Sequence, residues 1–189
     1  MTVLAVDLAA RYSAACRLDL TDGTVLQQWD SWGRTEDDFI LSLVQPWMDS
    51  PGQAPAAMVV EDLPHRLPFA ALVKRVCRLQ GRILDRMGDQ IGEVVFLPPA
   101  VWRRAYAGLK RGTGPDAVVP AAAELGYQAP GLAHRCLRAG DKAIARKVAT
   151  DYCAAYLIGT WAVATWQNTH TFDAAGTSRY TDPTMRSAT

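Results

Sequence analysis

The stretch VLAVDLAA, residues 3–10, is an apolar strand-like run that contains one carboxylate, Asp7. The stretch AMVVED, residues 57–62, repeats this layout with Glu61 near its end. An unpaired carboxylate in an apolar setting is costly unless a cation or hydrogen bonds compensate it, so buried strands do not normally carry acids. A helical pattern near the C-terminus adds Asp151. Two strand-borne acids and one helix-borne acid predict a divalent-metal site, and hard oxygen ligands suit Mg²⁺ or Mn²⁺.

Strands and helices alternate along the rest of the chain. Three strands are predicted first, and Thr21-Asp22-Gly23 joins the second to the third as a hairpin. The predicted strands cover 2–9, 12–20, 24–32, 57–63 and 93–97, and the predicted helices cover 35–48, 69–87, 100–107, 115–125 and 142–166. A meander followed by strands that are reached through helices predicts an α/β fold with a five-stranded mixed sheet. This is the element order of the ribonuclease H-like fold, in which the first and fourth strands lie side by side and the last helix packs across the same sheet end.

Length and composition indicate one domain of ordinary globular type. The 189 residues are 49% hydrophobic, and charges interrupt every long apolar run, so no membrane span or signal peptide is expected. The four cysteines have no CxxC or CxxH spacing, which predicts reduced thiols in a cytoplasmic protein. We expect the domain to span 1–166 and the polar residues 167–189 to form a flexible tail.

The positive charges are clustered although the net charge is only +1. Three basic segments lie downstream of an acidic one at 30–49. They contain Lys74, Arg75, Arg78, Arg82 and Arg86; Arg103, Arg104, Lys110 and Arg111; and Arg135, Arg138, Lys142, Arg146 and Lys147. A basic face separated from an acidic one suits a phosphate backbone, although such a run on a helix is also typical of a solvated surface.

Five segments of the chain resemble one known family. They are LAVD at 4–7, MVVE at 58–61, RLQGRIL at 78–84, VFLPPAVWR at 95–103 and ATDYCAAY at 149–156. In this order they resemble RuvC-type Holliday junction resolvases, particularly divergent phage-borne members, over roughly residues 2–160. The resemblance implies a homodimeric endonuclease that cuts four-way and other branched DNA, with Asp7, Glu61 and Asp151 as catalytic metal ligands.

The chain departs from the family at the last helix, which normally carries a pair of acids. Val148 and Lys147 lie three and four residues before Asp151, where the second acid is expected. Lys147 is one turn away on the same face, about 6 Å in rise, so it is a candidate catalytic residue that neutralises the scissile phosphate or orients the attacking water. The alternative is a surface salt bridge between Lys147 and Asp151. An aspartate in place of Val148 would restore the family's acid.

The remaining candidate residues are assigned to DNA. Lys110 and Arg111 lie in a Gly-rich loop where the family presents basic residues to the backbone, although such a loop is also typical of a plain connection. Leu67 or Phe69, in the segment after the Glu61 strand, is a candidate for a side chain that inserts at the crossover of the junction. The other predicted DNA contacts are Lys74, Arg78, Arg103, His65 and Arg66.

Two other functional classes remain. The sugar kinase and actin-like ATPases share the fold, but they need glycine-rich phosphate turns that LAAR at 8–11 does not supply, so no nucleotide cofactor is expected. The other class is a branched-DNA-binding protein that has lost cleavage, which the absence of an acid at Val148 favours.

Overall fold

The computed structural model describes residues 1–9, 12–50, 52, 54–62, 70–87, 91–109, 113–130, 141–169 and 178–180. His65, Arg66, Lys110 and Arg111 lie outside this part of the chain, as do the wedge candidates Leu67 and Phe69. No helix within the described ranges is long and apolar enough to cross a membrane.

The described chain forms one mixed sheet with helices on both faces. Its strands are β1 Thr2–Asp7, β2 Ala14–Asp19, β3 Val25–Asp30, β4 Ala57–Glu61, β5 Glu93–Leu97 and β6 Ser178–Tyr180. Its helices are α1 Glu36–Met48, α2 Ala70–Met87, α3 Pro99–Arg104, α4 Val118–Glu124 and α5 Asp141–Thr169, and a short 3₁₀ turn, Pro115–Ala117, precedes α4. The strand order is β3-β2-β1-β4-β5-β6.

The predicted five-stranded sheet is confirmed, and the structure adds a sixth strand. β1, β2 and β3 form an antiparallel meander, and β4 and β5 run parallel to β1. β6 pairs with β5 in the antiparallel direction and lies within 167–189, which the sequence assigned to a flexible tail. The last helix also passes the predicted end at 166 and reaches Thr169. The edge of β5 has backbone groups that such a short strand can pair.

Strand alternation divides the core into two layers. α1 and α2 cover one face of the sheet, and α3, α4 and α5 cover the other. Because successive side chains point to opposite faces, Leu4 and Val6 of β1 pack in the α1 and α2 layer, whereas Val3 and Ala5 pack in the α5 layer. α1 begins where expected, at the Thr35 cap, whose side chain accepts from the Asp38 backbone N–H in a capping box.

Helix α5 lies directly on β1 and β2. Gly159 permits this approach, since a Cβ built there would lie 2.4 Å from Leu18 Cδ1 and 3.3 Å from the Ala5 Cβ. Tyr152 also ties the helix to the meander, because its hydroxyl donates to Asp30 Oδ2 at 2.7 Å in a buried hydrogen bond. These contacts fix the height and rotation of the helix that carries residue 151.

Candidate metal centre

Asp7 and Glu61 end two neighbouring parallel strands. β1 and β4 pair in a register that places Val6 opposite Val60, so the next residues, Asp7 and Glu61, lie at the same sheet edge. Alternation along each strand directs both carboxylates to the face that α5 covers. The predicted juxtaposition of the strand-borne acids is thus present in the fold.

Trp102 holds Glu61 from the side. α3 follows β5 after Pro98, and its Trp102 is fully buried. The indole Nε1–H donates to Glu61 Oε1 at 3.0 Å. The sequence did not predict this contact. The available signal was that a buried indole N–H needs an acceptor, but the sequence does not say which acceptor it meets.

Asp151 comes from α5 and is the most buried of the three acids. Its exposure is 2%, against 7% for Asp7. Lys147 Nζ donates to Asp151 Oδ1, and Lys147 remains 45% exposed. Asp151 Oδ2 is buried and has no hydrogen-bond partner within the described chain. The two residues are paired, as one alternative expected, but the pair is not a surface salt bridge because its carboxylate is buried.

Burial dominates the electrostatics of the three carboxylates. It raises the pKa of Asp7 well above its usual value, and the neighbouring Glu61 carboxylate raises that pKa further. Burial also raises the pKa of Glu61, against hydrogen bonds from Asp7 and Trp102. A proton held between Asp7 and Glu61 would relieve the mutual repulsion of the two carboxylates. Burial and the charge of Asp7 raise the pKa of Asp151 to about 7, against the opposing effect of Lys147.

Arg103 supplies a second cation beside the acids. Its guanidinium carbon lies 5.2 Å from the centre of the Trp102 ring, within the range of a cation–π contact. Its charge, like that of Lys147, lowers the pKa of both Asp7 and Glu61. Its Nε is buried without a hydrogen-bond partner in the described part of the protein. Arg103 therefore lies at the carboxylate site itself. The sequence analysis assigned this residue only as a DNA contact.

The donor set fits a hard divalent cation in its chemistry. Asp7, Glu61 and Asp151 offer only carboxylate oxygens, and the orphaned Asp151 Oδ2 is a buried acceptor that lacks a donor or a cation. Within the described ranges, however, no three Asp, Glu, His or Cys side chains are grouped closely enough to hold an ion. Asp151 is engaged by Lys147, and Asp7 by Glu61.

The predicted DNA contacts on α2 lie on the other face of the sheet. α2 packs with α1 in the layer opposite α5. Arg78 lies 3.2 Å from Glu36 of α1, and Arg75 lies 2.8 Å from the same carboxylate. Lys74 is exposed on the same helix. Part of this basic cluster is consequently neutralised within the protein.

The sheet order, its helix layers and the strand-end acids define an α/β protein with the ribonuclease H-like fold. A solved structure with the same fold is T. thermophilus RuvC in complex with a Holliday junction substrate, at 16% sequence identity and a TM-score of 0.50. That match covers 82% of this chain and 93% of the other. A second match, a Thermus thermophilus RuvC structure, has 16% identity and a TM-score of 0.47, and covers 82% of this chain and 94% of the other. No family model and no curated protein matches the chain.

Proposed function

We propose that this chain is a metal-dependent endonuclease that cleaves Holliday junctions and other branched DNA. The observations that carry the proposal are that Asp7 and Glu61 end neighbouring strands and that the charge of Asp7 acts on the buried Asp151. The fold of the T. thermophilus RuvC structure, which holds a Holliday junction substrate, supports the substrate class.

In this proposal Asp7, Glu61 and Asp151 hold Mg²⁺ or Mn²⁺. The bound ion supplies Lewis-acid activation of the scissile phosphate and of the attacking water. Trp102 fixes the Glu61 carboxylate by its hydrogen bond, so this oxygen donor needs little reorganisation. Lys147, which reaches solvent from its contact with Asp151, neutralises the scissile phosphate or orients the water. The products would carry a 5′-phosphate and a 3′-hydroxyl.

DNA binding is assigned to Arg103, to two residues of α2 and to four basic residues outside the described ranges. Arg103 lies beside the acids, and we assign it to the phosphate that is cut. Lys110, Arg111, His65 and Arg66, with Lys74 and Arg78 of α2, are proposed to contact the flanking backbone. Such contacts position the duplex arms and carry little sequence information. A homodimer would supply a second copy of the site for the second strand.

The pairing of Lys147 with Asp151 favours a second candidate, a branched-DNA-binding protein without cleavage activity. An acid that is engaged by an ammonium group is a weaker ligand than a free one. Under this alternative, the protein would bind four-way junctions tightly, and added metal would have no effect on the DNA.

A cleavage assay on a synthetic four-way junction separates the two candidates. We expect nicks near the crossover in Mg²⁺ or Mn²⁺, none in EDTA, and little cleavage of a linear duplex of the same sequence. Asp7→Asn should abolish cleavage and leave junction binding unchanged or tighter, because it removes a ligand and one negative charge. Tight binding without nicking in either metal would support the binding protein, and cleavage by Asp7→Asn in Mg²⁺ would refute the site.

A further inference from the structure

A cavity lies outside the strand ends at the same sheet edge as Asp7, but on the face that α1 and α2 cover. Its volume is about 140 Å³, and Phe39 and Leu79 of these two helices form part of its wall. In open α/β sheets, ligands bind in a crevice outside the carboxyl ends of the strands. β1 and β3 end at this cavity, and the loop residues that line it are Ala9, Ser13 and Ser31.

Hydrogen bonds join the loops that line this cavity. Ser13, which is 2% exposed, accepts the Ala9 N–H on its Oγ at 3.2 Å. The Ser13 N–H donates to Ser31 Oγ at 2.7 Å. Because Ser31 Oγ accepts this bond, its own hydroxyl proton stays available, and no described residue accepts that proton. The cavity therefore offers a donor, held in place, to a ligand with acceptor oxygens.

Arg75 of α2 presents a second set of donors. Its Nε–H donates to Glu36 Oε1 at 2.8 Å, which orients the guanidinium group. Within the described chain, its two terminal amino groups have no hydrogen-bond partner. Glu36 also lies within 4 Å of Arg78 and Arg82, so it has other cations beside it. A planar guanidinium group that is held in this way suits a phosphate, whose oxygens can accept two parallel N–H bonds.

Arg34 adds a cation from the turn that precedes α1. Gly33 forms this turn with a φ of 71°, and the Arg34 side chain is exposed. No described residue makes a hydrogen bond or an ion pair with that side chain. Among the residues that line the cavity, Arg34 and Arg75 oppose Glu36 alone, which leaves one positive charge. One phosphodiester carries one negative charge and would neutralise it.

We propose that this cavity binds one backbone phosphate of the DNA, with Arg34, Arg75 and Ser31 as donors. The inference rests on the DNA substrate of the proposed function, but it requires neither a metal ion nor cleavage. Ala9 follows Asp7 by two residues, at most about 7 Å of chain, so we expect this phosphate close to the crossover. Such a contact would position the strand without reading its sequence.

The test measures the affinity of the full-length protein for a synthetic four-way junction in Ca²⁺ by fluorescence anisotropy. In a series of junctions, one phosphate at a time near the crossover is replaced by an uncharged methylphosphonate. The wild type should lose affinity about tenfold at one position. Arg34→Ala with Arg75→Ala should lose about tenfold on the unmodified junction. It should lose nothing further at that position, because the partner of the phosphate is already gone.

Arg86→Ala with Arg146→Ala is the matched control, because it removes the same charge outside the cavity. Arg86 is exposed and lies 11 residues after Arg75, about 16 Å along α2. Arg146 pairs with Asp116 on the surface at 2.6 Å. This variant should keep the full methylphosphonate effect. Thermal unfolding verifies that each variant is folded, and Arg34→Ala alone, at an exposed turn, should show part of the loss in any case.

The outcomes separate the inference from the proposed function. Wild-type affinity in the double variant, or an undiminished methylphosphonate effect in it, would overturn the phosphate site. An equal loss in the control would do the same, because net charge alone would explain the result. No binding of any junction by the wild type would overturn both the inference and the DNA substrate. The expected coupling without cleavage in Mg²⁺ or Mn²⁺ would support the phosphate site and overturn the nuclease.

Discussion

Val148 and Lys147 follow one another on α5 but have different surroundings. Val148 is packed in the core at 1% exposure, and Lys147 reaches from solvent to the buried Asp151. The sequence suggested that Asp in place of Val148 would restore a missing ligand. In the structure that aspartate would be a buried charge among apolar side chains, which destabilises the fold. Lys147 is therefore the position of the two that can carry a charge without burying it in the core.

Asp151 should make the metal-free protein less stable at alkaline pH. Its pKa is about 7 in the folded chain and 3.8 as the ordinary value, so between these values only the folded state keeps the proton. The stabilisation that the protonated Asp151 contributes is fully present below about pH 4 and is lost as the pH rises through about 7. Each pKa unit corresponds to about 1.4 kcal/mol, which limits the effect to roughly 4 kcal/mol.

Urea unfolding in EDTA at pH 5.5 and pH 8 measures this difference. Asp151→Asn should reduce the loss of stability between the two pH values, with a remainder from Asp7 and Glu61, whose pKa values are also raised. An unchanged loss in the variant would contradict the assignment to Asp151. Mg²⁺ at pH 8 should restore stability to the wild type more than to the variant.

At the scale of elements, two helix glycines should respond in opposite ways to alanine. Gly81 of α2 is exposed with nothing within 4 Å of a built Cβ, so Gly81→Ala should stabilise by about 0.5–1 kcal/mol through helix propensity. At Gly159 the alanine methyl group would press against the buried Leu18 and Ala5. Such overpacking costs about 1–3 kcal/mol and opposes the gain in helix propensity.

Chemical denaturation of both variants, at a pH where the wild type unfolds reversibly, gives the comparison. We expect Gly159→Ala to lose about 1 kcal/mol, the balance of the overpacking cost and the propensity gain. Equal stabilisation in both variants would show that α5 does not lie as closely on β1 and β2 as the structure indicates.

The sequence predicted elements well and contacts poorly. The alternating and apolar strand patterns and the Thr35 cap are local features, and each was found within a few residues of its predicted position. β6 was missed because a three-residue edge strand has too short a pattern and depends on the free edge of β5. The order of acids along the chain predicted that Asp7 and Glu61 would meet.

The sequence could not predict which side chains hydrogen-bond to the buried acids. Trp102 follows Glu61 by 41 residues, and Tyr152 is separated from Asp30 by 122. Such contacts depend on how helices are rotated against the sheet, which no local pattern specifies. Arg103 was assigned to DNA by its charge alone, and only the packing of α3 brings it next to the carboxylates.

Over the whole molecule, positive charge occurs on both faces of the sheet, but its availability differs. On α2, Glu36 lies within 4 Å of Arg75, Arg78 and Arg82, so much of that charge is compensated by α1. On the other face, Arg103 and Lys147 lie at the carboxylate site. A polyanion should therefore gain less from α2 than the number of its basic residues suggests.

The salt dependence of junction binding compares the Gly-rich loop with the partly neutralised helix α2. Lys110→Ala with Arg111→Ala should weaken binding to branched and linear DNA alike and lower the slope of log Kd against log salt by about 1 for each lost phosphate contact. Lys74→Ala with Arg78→Ala removes the same charge from α2 and should lower the slope by less, because Arg78 is already bound to Glu36. Titrations of DNA with each double variant in the presence of Ca²⁺, at salt concentrations from about 50 to 200 mM, measure the two slopes. An unchanged slope in the first pair would mean that the Gly-rich loop is only a connection, and equal changes in the two pairs would show that Glu36 does not reduce the contribution of α2.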